Sequence, residues 1–261
     1  MAAAITRSTL RQQIAGALRD EVLAGRLPAG RQFTVKEIAE QYGVSATPVR
    51  EALVDLSAQG LLDSDQHRGY RVHRFTLGDF TTMVEARTLV VEGVFRASAH
   101  RPEPGPAERF ASIRRRAVAC RRAALRGDLD VLIGYDLRFW RELGDLVGNP
   151  YITDFLERVR VHCWVFAVPH LRARGNLHGL LWTGHLELVE AVEHGDTAAA
   201  ERTVAAYNDH ALALVRTLAG TGPAPGGGPA APGGSAGRPE SPGPAPDTAS
   251  AQAQGTPVSR S

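Results

Sequence analysis

Two helix-start signals, Thr34 and Ser45, stand so close together that only a short helix and a tight turn fit between them. Thr34-Val35-Lys36-Glu37 has the capping-box pattern, in which the threonine oxygen accepts from an orphan amide and the glutamate reaches back. The spacing predicts a helix from there to about Gln41, a turn at Tyr42-Gly43-Val44, and a further helix capped by Ser45. Pro48 falls in the first turn of that helix, where a missing amide costs nothing, and Gly60 ends it. Upstream, Leu10, Ile14, Ala17, Leu18 and Val22 recur at helical spacing before the stop at Gly25. Downstream, Leu61-Leu62-Asp63 and Tyr70-Arg71-Val72 flank a polar, glycine-containing stretch from Ser64 to Gly69 and predict a small hairpin. Three helices and a hairpin over residues 1–75 make a winged helix-turn-helix.

The third helix divides into faces. Val49, Ala52, Leu53 and Leu56 form the stripe that must be buried, which leaves Ala46, Thr47, Arg50 and Asp55 on or near the outward face. Arg50 can donate two bonds to a guanine edge, and Thr47 can bind a phosphate or touch a thymine methyl. Charge permits a nucleic-acid partner without demanding one. The formal net charge of +2 comes wholly from residues 1–75, with ten basic against eight acidic side chains; residues 76–219 and 220–261 are balanced. Lys36 is the only lysine beside 29 arginines, which we read as a mark of genomic base composition.

The run Gly-Val-Ser-Ala-Thr-Pro-Val-Arg-Glu-Ala-Leu from Gly43 to Leu53 is preceded by Leu-Pro-Ala-Gly and followed by Gly-Leu-Leu and Arg-Gly-Tyr-Arg-Val. Over about residues 8–75 it resembles the DNA-binding domain of the GntR family of bacterial transcription regulators. The resemblance implies DNA contact by Lys36, Thr47 and Arg50, and a wing tip formed by His67, Arg68 and Gly69. His67 reads equally well as a solvated wing residue. The family usually has arginine where this chain has Ala46, which implies one contact fewer and an altered operator preference.

After Leu218 the composition changes to Gly, Pro, Ala, Ser and Thr with almost no large apolar residue. Such a stretch buries too little surface to offset its ordering entropy, so residues 220–261 are expected to form a disordered tail. Residues 76–219 read as an all-α bundle. Helices are predicted from Asp79 past Phe95, and around Pro106–Arg126, Asp128–Leu146, Tyr151–Val168, Leu180–His194 and Thr197–Leu218. Single polar residues interrupt their apolar stripes: Asp136 beside Leu132, Ile133, Phe139 and Trp140, His185 beside Leu181, Leu188 and Val189, and His210 beside Ala206, Tyr207, Ala213 and Leu214. A buried carboxylate and two imidazoles are costly unless paired or bound to a metal, so they are expected to converge on one cavity. Each histidine also reads as a hydrogen-bonded core residue.

The succession Asp-Leu-Arg-Phe-Trp, Gly-Asn-Pro, Gly-His-Leu-Glu-Leu-Val-Glu-Ala-Val-Glu-His-Gly-Asp and Asn-Asp-His resembles, over residues 76–218, the ligand-binding FCD domain of the FadR subfamily. In many such domains an aspartate and three histidines hold a divalent metal. The matching residues here are Asp136, His185 and His210, which implies a possible site for one divalent metal such as zinc. Trp140 replaces the first histidine of the set, and indole nitrogen only donates. Water, effector, His162, His170 or His178 could complete the shell; a metal-free cavity binding an organic ligand is the alternative. Arg87 matches an arginine that in relatives helps to bind carboxylate effectors, a task its forked guanidinium suits. A salt bridge to Glu85, Glu92 or Asp136 is its other reading.

Composition and motifs bound the function. With 43% hydrophobic and 22% charged residues, wholesale disorder and fibrous repeats are excluded. Cys120 and Cys163 form no C-x-x-C pair, which argues against a disulfide framework or cysteine-built zinc site. No apolar run reaches membrane-spanning length and the opening residues lack a signal-peptide core, so a cytoplasmic protein without membrane contact is expected. A metal-dependent hydrolase built on Asp136, His185 and His210 is the competing reading. It lacks a nucleophile elbow, a phosphate loop or a spare general base, and leaves the N-terminal motif unexplained. The resemblance implies instead a regulator, more commonly a repressor than an activator, that binds a palindromic double-stranded operator as a homodimer under control of a small-molecule effector, with Arg87, Asp136, Trp140, His185 and His210 around it. A DNA-binding dimer whose bundle takes no ligand is a third reading.

Overall fold

A computed structural model describes residues 9–65, 68–98 and 107–221. The chain falls into two compact units, Met1–Gly226 and Gly227–Ser261, and the second, with nearly all of the expected tail, lies outside the described residues.

The N-terminal part opens with α1 (Leu10–Leu23), whose cap sequence reading had not assigned. Thr9 Oγ1 accepts from the Gln12 amide at 3.3 Å while Gln12 Oε1 accepts from the Thr9 amide at 2.8 Å. Next come β1 (Gln32–Phe33), α2 (Val35–Tyr42), α3 (Ala46–Ala58), β2 (Leu62–Asp65) and β3 (Gly69–Val72). The capping box at Thr34 forms, with Glu37 Oε2 2.6 Å from the Thr34 amide. Ser45 occupies the N-cap of α3, but its hydroxyl makes no capping bond. The hairpin belongs to a three-stranded antiparallel sheet in the order β1-β3-β2, with Phe33 opposite Tyr70 and Asp63 opposite Arg71. Val49, Ala52, Leu53 and Leu56 are buried against Leu18 and Ile38, so the stripe on α3 sets which face it turns outward.

Among the described residues six helices follow: α4 (Leu77–Ser98), α5 (Ala107–Arg126), α6 (Leu129–Asp145), α7 (Pro150–Arg174), α8 (His185–Glu193) and α9 (Thr197–Thr221). Two boundaries depart from the sequence reading. α7 continues through Pro169 to Arg174, because Val168 and Leu171 are held in the core and their packing outweighs the lost backbone bond. α8 begins at His185 rather than Leu180; Leu177 and Leu181 are buried from a turn, where their spacing imitates a helix. Both cysteines are free and buried, and burial pushes their thiols up, away from reactivity at neutral pH.

α7 joins the two parts. His162 Nε2 lies 2.9 Å from the Gln59 carbonyl, which can only accept, so Nε2 carries the proton. The Phe75 ring sits between His73 and His162, with centroids at 4.5 and 4.7 Å, and Arg19 approaches Glu157 at 3.8 Å. Burial lowers the His162 pKa; the Gln59 bond opposes this, while the charges of Arg158 and His73 reinforce it. The unfolded chain therefore takes up a proton below about pH 6.5 that the folded junction resists, so stability falls as pH falls through that value. The melting temperature is expected to drop between pH 7.5 and 5.5, and to drop less in His162→Asn.

Candidate functional site

The outward face of α3 is set by its buried stripe and by the left-handed turn at Gly43 that ends α2. Arg50 and Thr47 are exposed there, and among the described residues Arg50 makes no ion pair. Lys36, Ala46 and Arg50 line one shallow hollow between α2 and α3. Lys36 Nζ is 3.8 Å from Glu40, a pair so exposed that it costs little to break. Asp55 is not outward and free: it is gripped by Arg11 of α1 through two hydrogen bonds and holds the helix to its neighbour. In the wing, Arg68 is exposed at the mouth of a hollow it shares with Arg71 and Asp63. Gly69 has φ +89, and a Cβ there would lie 2.5 Å from the Phe33 carbonyl oxygen, so the approach of β1 accounts for a glycine at this position. His67 lies outside the described residues.

In the bundle, α6 and α8 bring Asp136 and His185 together in full burial. Asp136 Oδ1 accepts from Trp140 Nε1 at 2.9 Å and lies 3.1 Å from His185 Nε2; its Oδ2 accepts from Trp164 Nε1 at 2.9 Å. Burial opposes ionisation, but the His185 bond, the nearby Arg160 charge and the Trp164 bond outweigh it and hold the carboxyl below its usual range. His210 of α9 lines the same space, as sequence spacing implies. His185 Nδ1 and His210 Nε2 are both buried without a hydrogen-bond partner among the described residues. The space measures about 70 Å³, small beside the range of about 300–1,000 Å³ typical of small-molecule sites.

A divalent metal here would have to compete for Asp136. Three donors already claim the two Asp136 oxygens, two of them indoles that cannot ligate, and His185 turns its Nε2 to the carboxylate. The expected set of Asp136, His185 and His210 does not form a ligand cluster among the described residues. None of His162, His170 and His178 lines this space.

Arg87 also departs from expectation. It is 2% exposed and pairs with none of Glu85, Glu92 and Asp136. Instead its Nη2 donates to Asn208 Oδ1 at 2.6 Å, Asn208 donates to Thr88 Oγ1 at 2.8 Å, and Arg87 Nε is buried without a hydrogen-bond partner among the described residues. Its guanidinium lies 4.9 Å from the Tyr207 ring centre.

Sequence reading missed Arg160, which is 3% exposed. Its guanidinium carbon stands 4.0 Å from the Trp140 ring centre and its Nη1 donates to Tyr207 Oη at 3.1 Å. The signal was present: Arg160 shares a helical face with Leu156, Cys163, Trp164 and Ala167, where a charge belongs only if it has a task. Burial lowers its pKa, as does Arg87, while Tyr207 and Asp136 oppose the shift. Burial and the Asp136 charge push Tyr207 up, so it stays a neutral phenol. Trp182 packs on His185 and Tyr207 at 4.5 and 4.8 Å, and Gly184 permits this because a Cβ there would lie 2.6 Å from the indole. Arg87 and Arg160 against Asp136 leave one guanidinium without a buried anionic counterpart among the described residues. Such an imbalance is costly in a desolvated interior and suits the capture of an anion.

Comparison with known proteins adds a second line of observation. Residues 10–72 match the bacterial regulatory proteins of the gntR family, and residues 82–210 match the FCD domain. A probable D-xylose utilization operon transcriptional repressor of Paenarthrobacter nicotinovorans is 41% identical over 90 residues, 34% of this chain and 39% of that protein. The chain thus matches well under half the length of that relative. Among solved structures, McbR/YncC of E. coli superposes with a TM-score of 0.64 at 20% identity, covering 81% of this chain and 99% of that one. A putative GntR transcriptional regulator from Rhodococcus sp. RHA1 does so with a TM-score of 0.62 at 22% identity, covering 80% and 99%. These likenesses show the fold. Among the described residues no helix is long and apolar enough to cross a membrane.

Proposed function

This chain belongs to the GntR family of bacterial regulatory proteins and carries an FCD domain, and from that premise we propose that it is a transcriptional repressor that binds a palindromic operator as a homodimer and releases it when a small carboxylate enters the helical domain. The observation that carries the DNA half is the exposed start of α3, where Arg50, without an ion pair among the described residues, stands beside Thr47 and across a hollow from Lys36. A guanidinium so placed can read a guanine edge, while a threonine and an ammonium fix register on phosphates. Two such helices from a dimer would enter successive major grooves.

The effector half rests on the buried excess of positive charge at Arg87 and Arg160, which a carboxylate would offset. The site works without a metal in this reading, since Asp136 serves as acceptor for Trp140, Trp164 and His185. Communication runs along α7. Within two turns that helix presents Glu157 to Arg19, Arg160 to the cavity, His162 to Gln59 and Trp164 to Asp136. An anion that draws on Arg160 would act on the same helix that holds the DNA-binding part, and can shift the balance only by as much as it prefers one arrangement over the other.

Fluorescence anisotropy with DNA from the region upstream of the protein's own gene tests the reading. Binding should exceed that to random DNA by about a thousandfold or more and weaken steeply as salt rises. Equal affinity for random DNA at every salt concentration sinks the proposal.

A further inference from the structure

Beside the small space at Asp136 lies a cavity of about 500 Å³, walled by residues of α4 to α9. Its size falls within the range of about 300–1,000 Å³ typical of small-molecule sites, whereas the Asp136 space holds too little for a metabolite. Trp140 partitions the two: its indole nitrogen bonds Asp136 on one side, and the ring lines the larger cavity on the other. The residue that removes a metal ligand thus also builds a wall of a different chamber. Arg160 lines both spaces.

At the wall of the larger chamber, Arg160 is the charged group that is buried and makes no ion pair among the described residues. Of the other charged residues at its wall, Arg141 pairs with Glu157 at 2.6 Å and Glu193 with Arg114. His194 Nδ1 donates to the Glu190 carbonyl at 2.7 Å, and Thr153 donates to the Gly144 carbonyl at 3.1 Å. Arg160 has five N–H donors and makes one hydrogen bond among the described residues, to Tyr207. The remaining wall is apolar, with Phe95, Phe110, Leu143, Leu188 and Val192 prominent.

We propose that this chamber binds an amphipathic monocarboxylic acid, its carboxylate on Arg160 and its hydrocarbon or aromatic body among those five apolar residues. The proposal rests on the carboxylate-effector reading above and gives it a place and a chemical class. A polyhydroxylated acid or a dicarboxylate would bury groups here that nothing can satisfy, at a cost that disfavours both.

The test exploits a property of the whole sequence. Its three tryptophans are Trp140, Trp164 and Trp182, and all three line one or other of these spaces, so tryptophan fluorescence, excited selectively over tyrosine, reports on this region alone. Full-length protein is titrated with octanoate, 1-octanol, acetate and succinate, followed by fluorescence and calorimetry, with circular dichroism melts to verify folding of each variant. Octanoate should change the emission and raise the melting temperature. Octanol should bind about tenfold more weakly or worse for want of the charge-assisted contact, and acetate and succinate should bind at least as weakly. Arg160→Gln should erase the preference for octanoate over octanol, and Val192→Phe should block both by filling the chamber. Octanoate binding unchanged in folded Val192→Phe, or a preference that survives Arg160→Gln, overturns the assignment. Tight binding of acetate or succinate without octanoate overturns the chamber and leaves the carboxylate reading standing; no response to any carboxylate overturns both.

Discussion

Asp136→Ala is expected to lower stability by about 3–5 kcal/mol, the range for breaking a buried charge set by removing one member. The carboxylate satisfies Trp140, Trp164 and His185 and is the buried anion facing Arg160. Without it, three donors lose their acceptor and two guanidiniums face each other with less compensation. For a folded part of this size the melting temperature should fall by on the order of 10 °C. Asp136→Asn separates charge from shape. It keeps the volume but turns an NH₂ toward an indole N–H or the imidazole, so it should recover little of the loss. Thermal and urea denaturation of both variants measure this, and an asparagine variant as stable as the parent would refute the account of the site as an acceptor for three donors.

The second large effect falls on DNA. Arg50→Ala should weaken operator binding about a hundredfold or more, since a homodimer loses one good base contact in each half-site, each worth about tenfold or more, and should relax discrimination at one base pair in each half-site. Lys36→Ala should act differently, weakening binding to all sequences alike and reducing the salt slope by about two, one phosphate contact per protomer. Neither side chain is part of the core, so both variants should melt as the parent does. An Arg50→Ala protein that loses affinity equally for every sequence would place Arg50 on phosphate rather than on a base edge.

How far the sequence could be read follows from which forces are local. The capping box at Thr34 and the stripe from Val49 to Leu56 lie within a few residues of one another, and the structure forms both. β1 has only two residues, too few for any alternation, and exists because Phe33 and Gln32 find Tyr70 and Arg71 far along the chain. Pro169 marks a helix end by propensity, and tertiary packing of Val168 and Leu171 carries α7 past it. At the cavity, Asp136 and His185 announced themselves as polar interruptions of apolar stripes. Arg160 did not, because a long cationic side chain ordinarily reaches solvent, and only the aromatic enclosure by Trp140 and Tyr207 shows that this one does not. Nor can spacing show that Trp140 and Trp164, read one by one as core filler, direct both N–H groups at a single carboxylate.

The hollow between α2 and α3 has a use for the experimenter. Lys36 is the sole lysine of the chain, and its side chain is 84% exposed. Guanidiniums stay protonated and resist acylation, so an amine-directed reagent has one side-chain target in the whole sequence. A dye or photoactivatable crosslinker attached there would sit at the surface we assign to the double helix without an engineered cysteine, and because acylation removes the ammonium, labelled protein should bind DNA more weakly and DNA bound beforehand should shield Lys36 from the reagent.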